Sequence, residues 1–295
     1  MQQTKKKICF IAILGRPNVG KSSLMNQIVN YNVSIVTNTP QTTRDQIAAI
    51  YNDEEYQLIF IDTPGIHKPL NKLGEALNKN ALQTISETDL VLFLTPADEK
   101  LGKGDLYILE QIQKIENKIA VISKIDKIND INLITQKIED LSHYNFKMIT
   151  SVSVNKHKSV EDLINILKEN AYEDLAYYDD DYITDKSMRF LAKEIIRESA
   201  INSLYEELPH SIAVEVSDFE EESEDQINIR AVIYVKKDSQ KGMVIGVNGQ
   251  KIKQIGKLAR LKMQQQFDTH VYLELKVKVA KKWVDDEKQL KRFGY

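Results

Sequence analysis

The sequence predicts an α/β domain with a doubly wound, mostly parallel sheet, followed by a small α+β domain. Over residues 1–170, short and nearly continuous apolar runs alternate with amphipathic stretches. This alternation is typical of parallel strands that helices cover on both faces. An acidic segment without clear periodicity follows at residues 171–185, and beyond it the order becomes helix, strand, strand, helix, strand. The chain therefore divides into two predicted domains.

The first predicted domain has strands at its apolar runs and helices at its amphipathic stretches. The strands are Ile8–Leu14, Ile47–Tyr51, Gln57–Ile61, Leu90–Thr95, Lys118–Ser123 and Met148–Ser151. The helices are Lys21–Asn30, Lys72–Ile85, Asp105–Ile115, Asn132–Ser142 and Val160–Glu169. Ser159 and Asp162 have the spacing of an N-terminal cap for the last of these helices. Because ligands of such sheets bind at the carboxyl ends of the strands, we expect the site there.

The second predicted domain begins with a long helix, Ser187–Leu204, whose apolar residues fall on one face. Two alternating strands, Ile212–Val216 and Ile227–Val235, precede a helical segment that contains glycines. A last strand, Val271–Val279, carries lysines on one face. We therefore place the first domain at residues 1–172, an acidic linker at 173–186, and the second domain with its basic C-terminal tail at 187–295.

Length and composition exclude several classes of protein. The 295 residues suit two domains. No stretch reaches the roughly 18 apolar residues of a membrane span, and Lys5–Lys7 lead into an apolar run too short for a secretory signal. The single cysteine, Cys9, excludes an internal disulfide and fits a reducing compartment, and its apolar strand predicts a small buried hydrophobe. We expect a cytoplasmic protein.

The charge is unevenly distributed along the chain. Residues 171–225 contain 17 acidic and 4 basic side chains, whereas residues 241–295 contain 13 basic and 5 acidic ones. The basic C-terminal segment favours a polyanionic partner, although an ordinary solvated surface would have the same composition.

A phosphate-binding loop follows the first strand directly. Its residues are Gly15, Arg16, Pro17, Asn18, Val19, Gly20, Lys21, Ser22 and the adjoining Ser23. Glycines let the backbone fold around a phosphate chain, and the amides at the start of the next helix point at the anion. Lys21 supplies a charge for the outer phosphates, and Ser22 offers a hydroxyl to Mg²⁺. The loop predicts binding of a nucleoside triphosphate.

A second phosphate signal follows the strand at 57–61. It consists of Asp62, Thr63, Pro64 and Gly65, with Ile66 next in the chain. Asp62 at a strand end can hold Mg²⁺ through a water molecule, and the amide of Gly65 can contact a γ-phosphate. Behind a phosphate-binding loop, this short motif becomes a specific signal.

A third motif, Ser123-Lys124-Ile125-Asp126, predicts which base is bound. The Asp126 carboxylate can accept hydrogen bonds from N1–H and N2–H₂ of guanine. Adenine cannot donate that pair, and an unsatisfied carboxylate is costly. Lys124 would lay its stem along the base. We therefore expect GTP and GDP as ligands.

These motifs, in this order, resemble the P-loop GTPases. The Pro-Asn pair in the loop and Gln41-Thr42-Thr43-Arg44-Asp45 narrow the resemblance to the TrmE–Era–EngA branch. It implies that Thr43, with Thr42 as second choice, ligates Mg²⁺. The base motif usually begins with Asn rather than Ser123, so we expect guanine preference through Asp126 with weaker affinity. Ser153-Val154 stands where the base loop usually reads Ser-Ala.

The catalytic residues that this resemblance implies are Lys21, Thr43, Gly65 and Asn18. Many GTPases have a water-orienting Gln where this chain has Ile66, which cannot polarise water. The resemblance implies an apolar residue here and slow intrinsic hydrolysis. Asn18 is a candidate ligand for K⁺, which would supply the stabilising charge; alternatively it only shapes the loop.

The second domain contains a Gly-x-x-Gly turn between helical segments. Two glycines let the backbone approach a nucleic-acid strand closely, and the following lysines attract it. With the helix–strand–strand order before it and the lysine-bearing strand after it, the turn resembles that of a type II KH domain and predicts single-stranded RNA binding. The candidate contacts are Ile245, Gly246, Val247, Asn248, Gly249, Lys251, Lys253, Lys257 and Arg260.

A GTPase domain followed by this KH domain resembles the Era family of ribosome-assembly GTPases along nearly the whole chain. The resemblance implies binding to 16S rRNA in the small ribosomal subunit and peripheral membrane association, and we expect a monomer. Two alternatives remain open. One is a non-enzymatic, GTP-responsive RNA-binding scaffold, which Ile66 leaves open. The other is a GTPase subunit in tRNA modification, against which the KH domain argues.

Overall fold

The computed structural model describes residues 5–37, 39, 44–63, 71–204, 208–223 and 225–295. Contacts divide the chain into two compact units, one made of most of residues 1–185 and the other of most of residues 186–295. Each unit has its own sheet. Among the residues described, no helix is long and apolar enough to cross a membrane.

The first unit contains a seven-stranded sheet that is mostly parallel, as the apolar runs predict. Its strands are β1 (Lys5–Leu14), β2 (Ile47–Asn52), β3 (Tyr56–Asp62), β4 (Leu90–Pro96), β5 (Lys118–Ser123), β6 (Met148–Ser151) and β7 (Tyr172–Leu175). The strand order is β2-β3-β1-β4-β5-β6, and β7 pairs with β1. Among the described strands of this sheet, only the β2–β3 and β7–β1 pairs are antiparallel.

The central strands are apolar because helices cover both faces of the sheet. Every residue of β4 and of β5 is buried, which explains their lack of alternation. The helices are α1 (Lys21–Val29), α2 (Lys72–Ser86), α3 (Lys103–Gln111), α4 (Ile131–Ser142) and α5 (His157–Lys168). Cys9 lies in β1 with no exposed surface, and burial raises the pKa of its thiol to about 12. The thiol therefore stays neutral at physiological pH, as expected for a structural cysteine.

The predicted cap of α5 was wrong. The helix begins at His157, before Ser159, and its first residue is preceded by Lys156 without a side-chain cap. The hydroxyl of Ser159 instead accepts a hydrogen bond from the backbone N–H of Ser153 at 3.1 Å. Ser159 therefore stabilises the loop before the helix rather than the helix end.

The acidic segment contributes an edge strand to the first unit. Residues of β7 pair with the lysine-rich start of β1, so that Glu173 lies opposite Lys7 and Asp174 opposite Lys6. Opposite charges across a strand pair are favourable. Further along, the Thr184 hydroxyl donates to the Ala48 carbonyl at 2.7 Å. The first unit thus continues to residue 185, beyond the predicted boundary at residue 172.

The second unit packs two long helices on a three-stranded sheet. Its helices are α6 (Met188–Ser203), α7 (Leu208–Ser211), α8 (Asp238–Ile245), α9 (Gln250–Phe267) and α10 (Glu287–Phe293). Its strands are β8 (Ala213–Ser223), β9 (Gln226–Val235) and β10 (His270–Val279), in the order β10-β9-β8. The β8–β9 pair is antiparallel and the β9–β10 pair is parallel. The strand β8 runs seven residues past its predicted end at Val216.

The predicted basic tail is an ordered element. The Asp286 carboxylate caps α10 by accepting from the N–H groups of Lys288 and Gln289. The ring of Phe293 packs against the fully buried Trp283, with ring centroids 5.5 Å apart. The Trp283 indole donates to the Ser211 carbonyl at 3.0 Å. The end of the chain therefore belongs to the core of this unit.

Candidate nucleotide site and nucleic-acid interface

The phosphate-binding loop joins the end of β1 to the start of α1. Gly15 and Val19 are buried, Asn18 is exposed, and Arg16, Pro17, Gly20, Ser22 and Ser23 are intermediate. Asn18 has a positive φ of 63°, and Gly20, the residue before α1, has φ 104°. The backbone therefore turns sharply at both positions, with the helix start behind the loop, which suits an anion.

Lys21 lies inside this loop rather than in solvent. Its side chain is buried, and its Nζ donates to the carbonyl oxygens of Gly15 at 2.8 Å and Arg16 at 3.1 Å. Burial lowers the pKa of the Lys21 ammonium, while the charge of Asp62 opposes that shift. The loop thus holds a cation where an anionic ligand would restore its charge balance.

Two of the residues predicted to hold Mg²⁺, Ser22 and Asp62, are in direct contact. The Ser22 hydroxyl donates to Oδ2 of Asp62 at 2.9 Å, and Ser34 donates to the same oxygen at 2.9 Å. Asp62 is fully buried at the end of β3. A hydroxyl beside a carboxylate is a donor set that Mg²⁺ accepts, so these residues fit the ion. Ser34 was not predicted, since it lies in an irregular segment without a motif.

Several predicted site residues lie outside the described residues. They are Thr43 with its alternative Thr42, and Pro64, Gly65 and Ile66. Thr63, which is described, is buried and donates to the Ile13 carbonyl at 3.1 Å. This contact joins the end of β3 to β1 beside the phosphate-binding loop.

The base motif lies at the end of β5 and contacts the phosphate-binding loop. The buried Ser123 hydroxyl donates to the Val19 carbonyl at 2.6 Å. Lys124 has a positive φ of 59°, and its Nζ donates to the carbonyl of Asn18. The phosphate-binding loop is therefore joined by hydrogen bonds to both other motifs, to the base motif through Ser123 and to Asp62 through Ser22.

Asp126 is held by the loop that follows β6. Its Oδ1 accepts from the Ser153 hydroxyl at 2.7 Å, and its Oδ2 accepts from Nδ2 of Asn155 at 2.9 Å. The hydrogen bond from Ser153 holds the pKa of the Asp126 carboxyl below its usual range. Val154 is the residue between these two donors and is half-buried. The carboxylate therefore stays ionised and oriented, although Asn155 was not predicted.

Arg16 links the phosphate-binding loop to the segment after β4. Its guanidinium contacts Glu99, and its Nε lies 3.1 Å from Oδ2 of Asp105. Asp105 is fully buried and also accepts from the Gly102 N–H at the start of α3, at 2.9 Å. Burial raises the pKa of Asp105. These acidic partners carry no sequence motif, because only the fold brings them to Arg16.

The Gly-x-x-Gly turn joins α8 to α9 in the second unit. Gly246, Asn248 and Gly249 have φ values of 71°, 51° and 73°. A Cβ on Gly246 would lie 2.6 Å from the Cβ of Lys251, so this position excludes larger residues. At Gly249 a Cβ would meet nothing within 4 Å. Val247 at the tip is 76% exposed, and Ile245 is half-buried at the end of α8.

A groove of about 340 Å³ runs beside this turn, between α9 and β10. Its lining residues are Ile252, Lys253, Gly256, Lys257, Arg260, Tyr272, Leu273 and Leu275. Lys253, Lys257 and Arg260 are exposed along one face of α9, and Tyr272 is 64% exposed on β10. Cations beside an apolar floor and an aromatic ring suit an extended single strand with unstacked bases. Tyr272 was not predicted as a contact, because the sequence analysis considered only the lysines of its strand.

Together, the two units define a P-loop GTPase carrying a C-terminal KH domain. The profile of the family described as 50S ribosome-binding GTPase matches residues 10–127, and that of the KH domain matches residues 207–284. GTPase Era of Mycoplasmopsis agalactiae is 60% identical over 98% of this chain and 99% of that protein. GTPase Era of Mycoplasmopsis pulmonis is 49% identical over 97% and 99%. The chain belongs to the Era family of GTPases.

A solved structure supports the same assignment. The crystal structure of Era in complex with MgGDPNP and nucleotides 1506–1542 of 16S ribosomal RNA is 34% identical to this chain. The match covers 98% of this chain and 99% of that one, with a TM-score of 0.92. The predicted fold class, a GTPase domain followed by a KH domain, is confirmed.

Proposed function

We propose that the chain is a GTP-hydrolysing switch that binds 16S rRNA during assembly of the small ribosomal subunit. The observation that carries the proposal is the convergence of the three motifs of the first unit. Ser123 joins the base motif to the phosphate-binding loop, and Ser22 joins that loop to Asp62. The same chain contains the groove beside the Gly-x-x-Gly turn. The Era complex with MgGDPNP and 16S rRNA supports both ligands.

In the nucleotide site, the residues act by binding and positioning. Lys21 and the loop amides hold the β- and γ-phosphates, and Asp126 selects guanine. Ser22 and Asp62 would hold Mg²⁺, with Thr43 proposed as a further ligand. The bound ion would neutralise charge on the phosphate oxygens. Water attacks the γ-phosphorus, and the bond to the bridging oxygen breaks, which gives GDP and phosphate. The proposed contact of the Gly65 amide with the γ-phosphate would sense this step.

In the RNA interface, the phosphates of a single strand would follow Lys253, Lys257 and Arg260. Bases would enter the groove, where Tyr272 offers a ring for stacking. Such stacking contributes about 1–3 kcal/mol per base. Hydrolysis would release the loops around Thr43 and Gly65, and RNA affinity would change with them.

A charge introduced at Gly249 should weaken RNA binding and leave the nucleotide site intact. In the Gly249→Asp variant we expect RNA affinity to fall by roughly tenfold or more, because a carboxylate would face the phosphate strand. Gly249→Asn is the matched control, since Asn and Asp are similar in size and both tolerate a positive φ. We therefore expect the Asn variant to bind RNA more tightly than the Asp variant. Fluorescence anisotropy with a labelled RNA strand measures both affinities.

GDP affinity should be the same in both Gly249 variants and in the wild type. Equal RNA affinity of the Asp and Asn variants would contradict binding of phosphates at this turn. The weakening in the Asp variant should also shrink at high salt, because salt screens the added charge.

Four parts of the sequence interpretation remain predictions. They are a role of Asn18 as K⁺ ligand, contact with the membrane, a cytoplasmic location and a monomeric state. Hydrolysis of bound GTP distinguishes the proposed switch from the alternative of a non-enzymatic scaffold. In a single-turnover assay, a switch should release the γ-phosphate of bound GTP, whereas a scaffold would retain GTP.

A further inference from the structure

Ser123 gives its only hydrogen-bond donor to the phosphate-binding loop. A hydroxyl has one proton, and that of Ser123 lies on the Val19 carbonyl at 2.6 Å in a buried position. An asparagine amide at this position would have two N–H donors. The base motif of this chain therefore has one donor fewer than the pattern that it resembles.

The Asp126 carboxylate is instead oriented from the other side. Ser153 donates to Oδ1 and Asn155 donates to Oδ2, so each oxygen has one side-chain donor among the described residues. A carboxylate oxygen can accept about two hydrogen bonds. Each oxygen therefore keeps one acceptor position, which matches the two donors on the edge of guanine. Asp126 is exposed, so without these donors its side chain could rotate.

We propose that Asn155 is a positioning residue for base selection, fixing the Asp126 carboxylate so that its two oxygens can accept from guanine N1–H and N2–H₂ together. The inference rests on the proposed guanine-nucleotide site. The Asn155 contact also lowers the pKa of Asp126, after the larger effect of Ser153, so the carboxylate remains charged.

The test compares GDP and ADP affinities of the full chain, by competition with a fluorescent GDP analogue. In Asn155→Ala we expect GDP affinity to fall roughly tenfold, the effect of one hydrogen bond to a charged group, with ADP affinity unchanged. Asn155→Gln keeps the donor and should recover most of the discrimination. Asn132→Ala is the matched control, because Asn132 donates to the exposed Asp130 at the same 2.9 Å distance. It should leave both affinities unchanged.

Three results would overturn the inference. One is that Asn155→Ala has the same ratio of GDP affinity to ADP affinity as the wild type. Another is an equal loss of both ligands, which would indicate a structural role only. Failure of Asn155→Gln to recover discrimination would also count against it. If the wild type itself does not distinguish GDP from ADP, the proposed function fails, and that outcome is separate from a failure confined to Asn155.

Discussion

The Lys21→Ala variant should lose triphosphate binding. The lysine is buried inside the phosphate-binding loop, where its ammonium spans the carbonyls of Gly15 and Arg16. Removing the buried cationic partner of the phosphates costs about 2–5 kcal/mol, so we expect GTP affinity to fall by a factor of roughly 30 to 4,000. Equilibrium titration with a fluorescent GTP analogue measures this loss.

A matched control separates the site from the general charge of the protein. Lys114 is an exposed lysine just before the start of β5, at the opposite edge of the sheet from the loops that follow the strands. Lys114→Ala removes the same charge and should bind GTP as the wild type does. Melting of the nucleotide-free proteins checks folding, and GTP should raise the melting temperature of the control but not of Lys21→Ala. GTP affinity within threefold of wild type in Lys21→Ala would contradict this site.

The Asp126→Asn variant should exchange guanine for xanthine. The introduced amide keeps one acceptor and presents one donor. Because Nδ2 of Asn155 needs an acceptor and the Ser153 hydroxyl can accept, the amide NH₂ should replace Oδ1 and face Ser153. A donor then opposes a donor of guanine. Xanthine has a carbonyl in place of the 2-amino group and restores the match.

We expect GDP affinity to fall by at least roughly 10²-fold in Asp126→Asn, and xanthosine diphosphate to become the preferred ligand. Calorimetric titration with both diphosphates measures the exchange. Asp130→Asn is the control, since asparagine caps a helix about as well as the aspartate that now caps α4. A similar loss of both diphosphates in Asp126→Asn would show that the residue acts on structure and not on base selection.

The sequence predicted the central strands of the first unit because burial on both faces forces continuous apolar runs. It predicted the joined motifs because loops after neighbouring parallel strands meet at one edge of the sheet. The strand β7 was missed, since its stability comes from pairing with lysines that are distant in sequence. The sequence analysis did not predict Ser34, Asp105 or Asn155 as site residues for a similar reason. Each contacts a motif residue only after the chain has folded.

The helix α10 was missed although the sequence contained its signals. Asp286 has the spacing of an N-terminal cap, and Gly294 after the last turn adopts a φ of 90° that suits glycine. The basic residues of this segment suggested a tail instead. For this segment, the capping residues therefore indicate the local structure better than the charge composition does.

The measurement that tests the proposed switch most directly is RNA affinity in two nucleotide states. The full chain would be titrated against a labelled single strand from the 3′ end of 16S rRNA, once with a non-hydrolysable GTP analogue and once with GDP. We expect the two dissociation constants to differ by about fivefold or more, the usual range of coupling between sites, and the difference to vanish in Lys21→Ala. Identical dissociation constants in the two states of the wild type would contradict control of RNA affinity by the bound nucleotide.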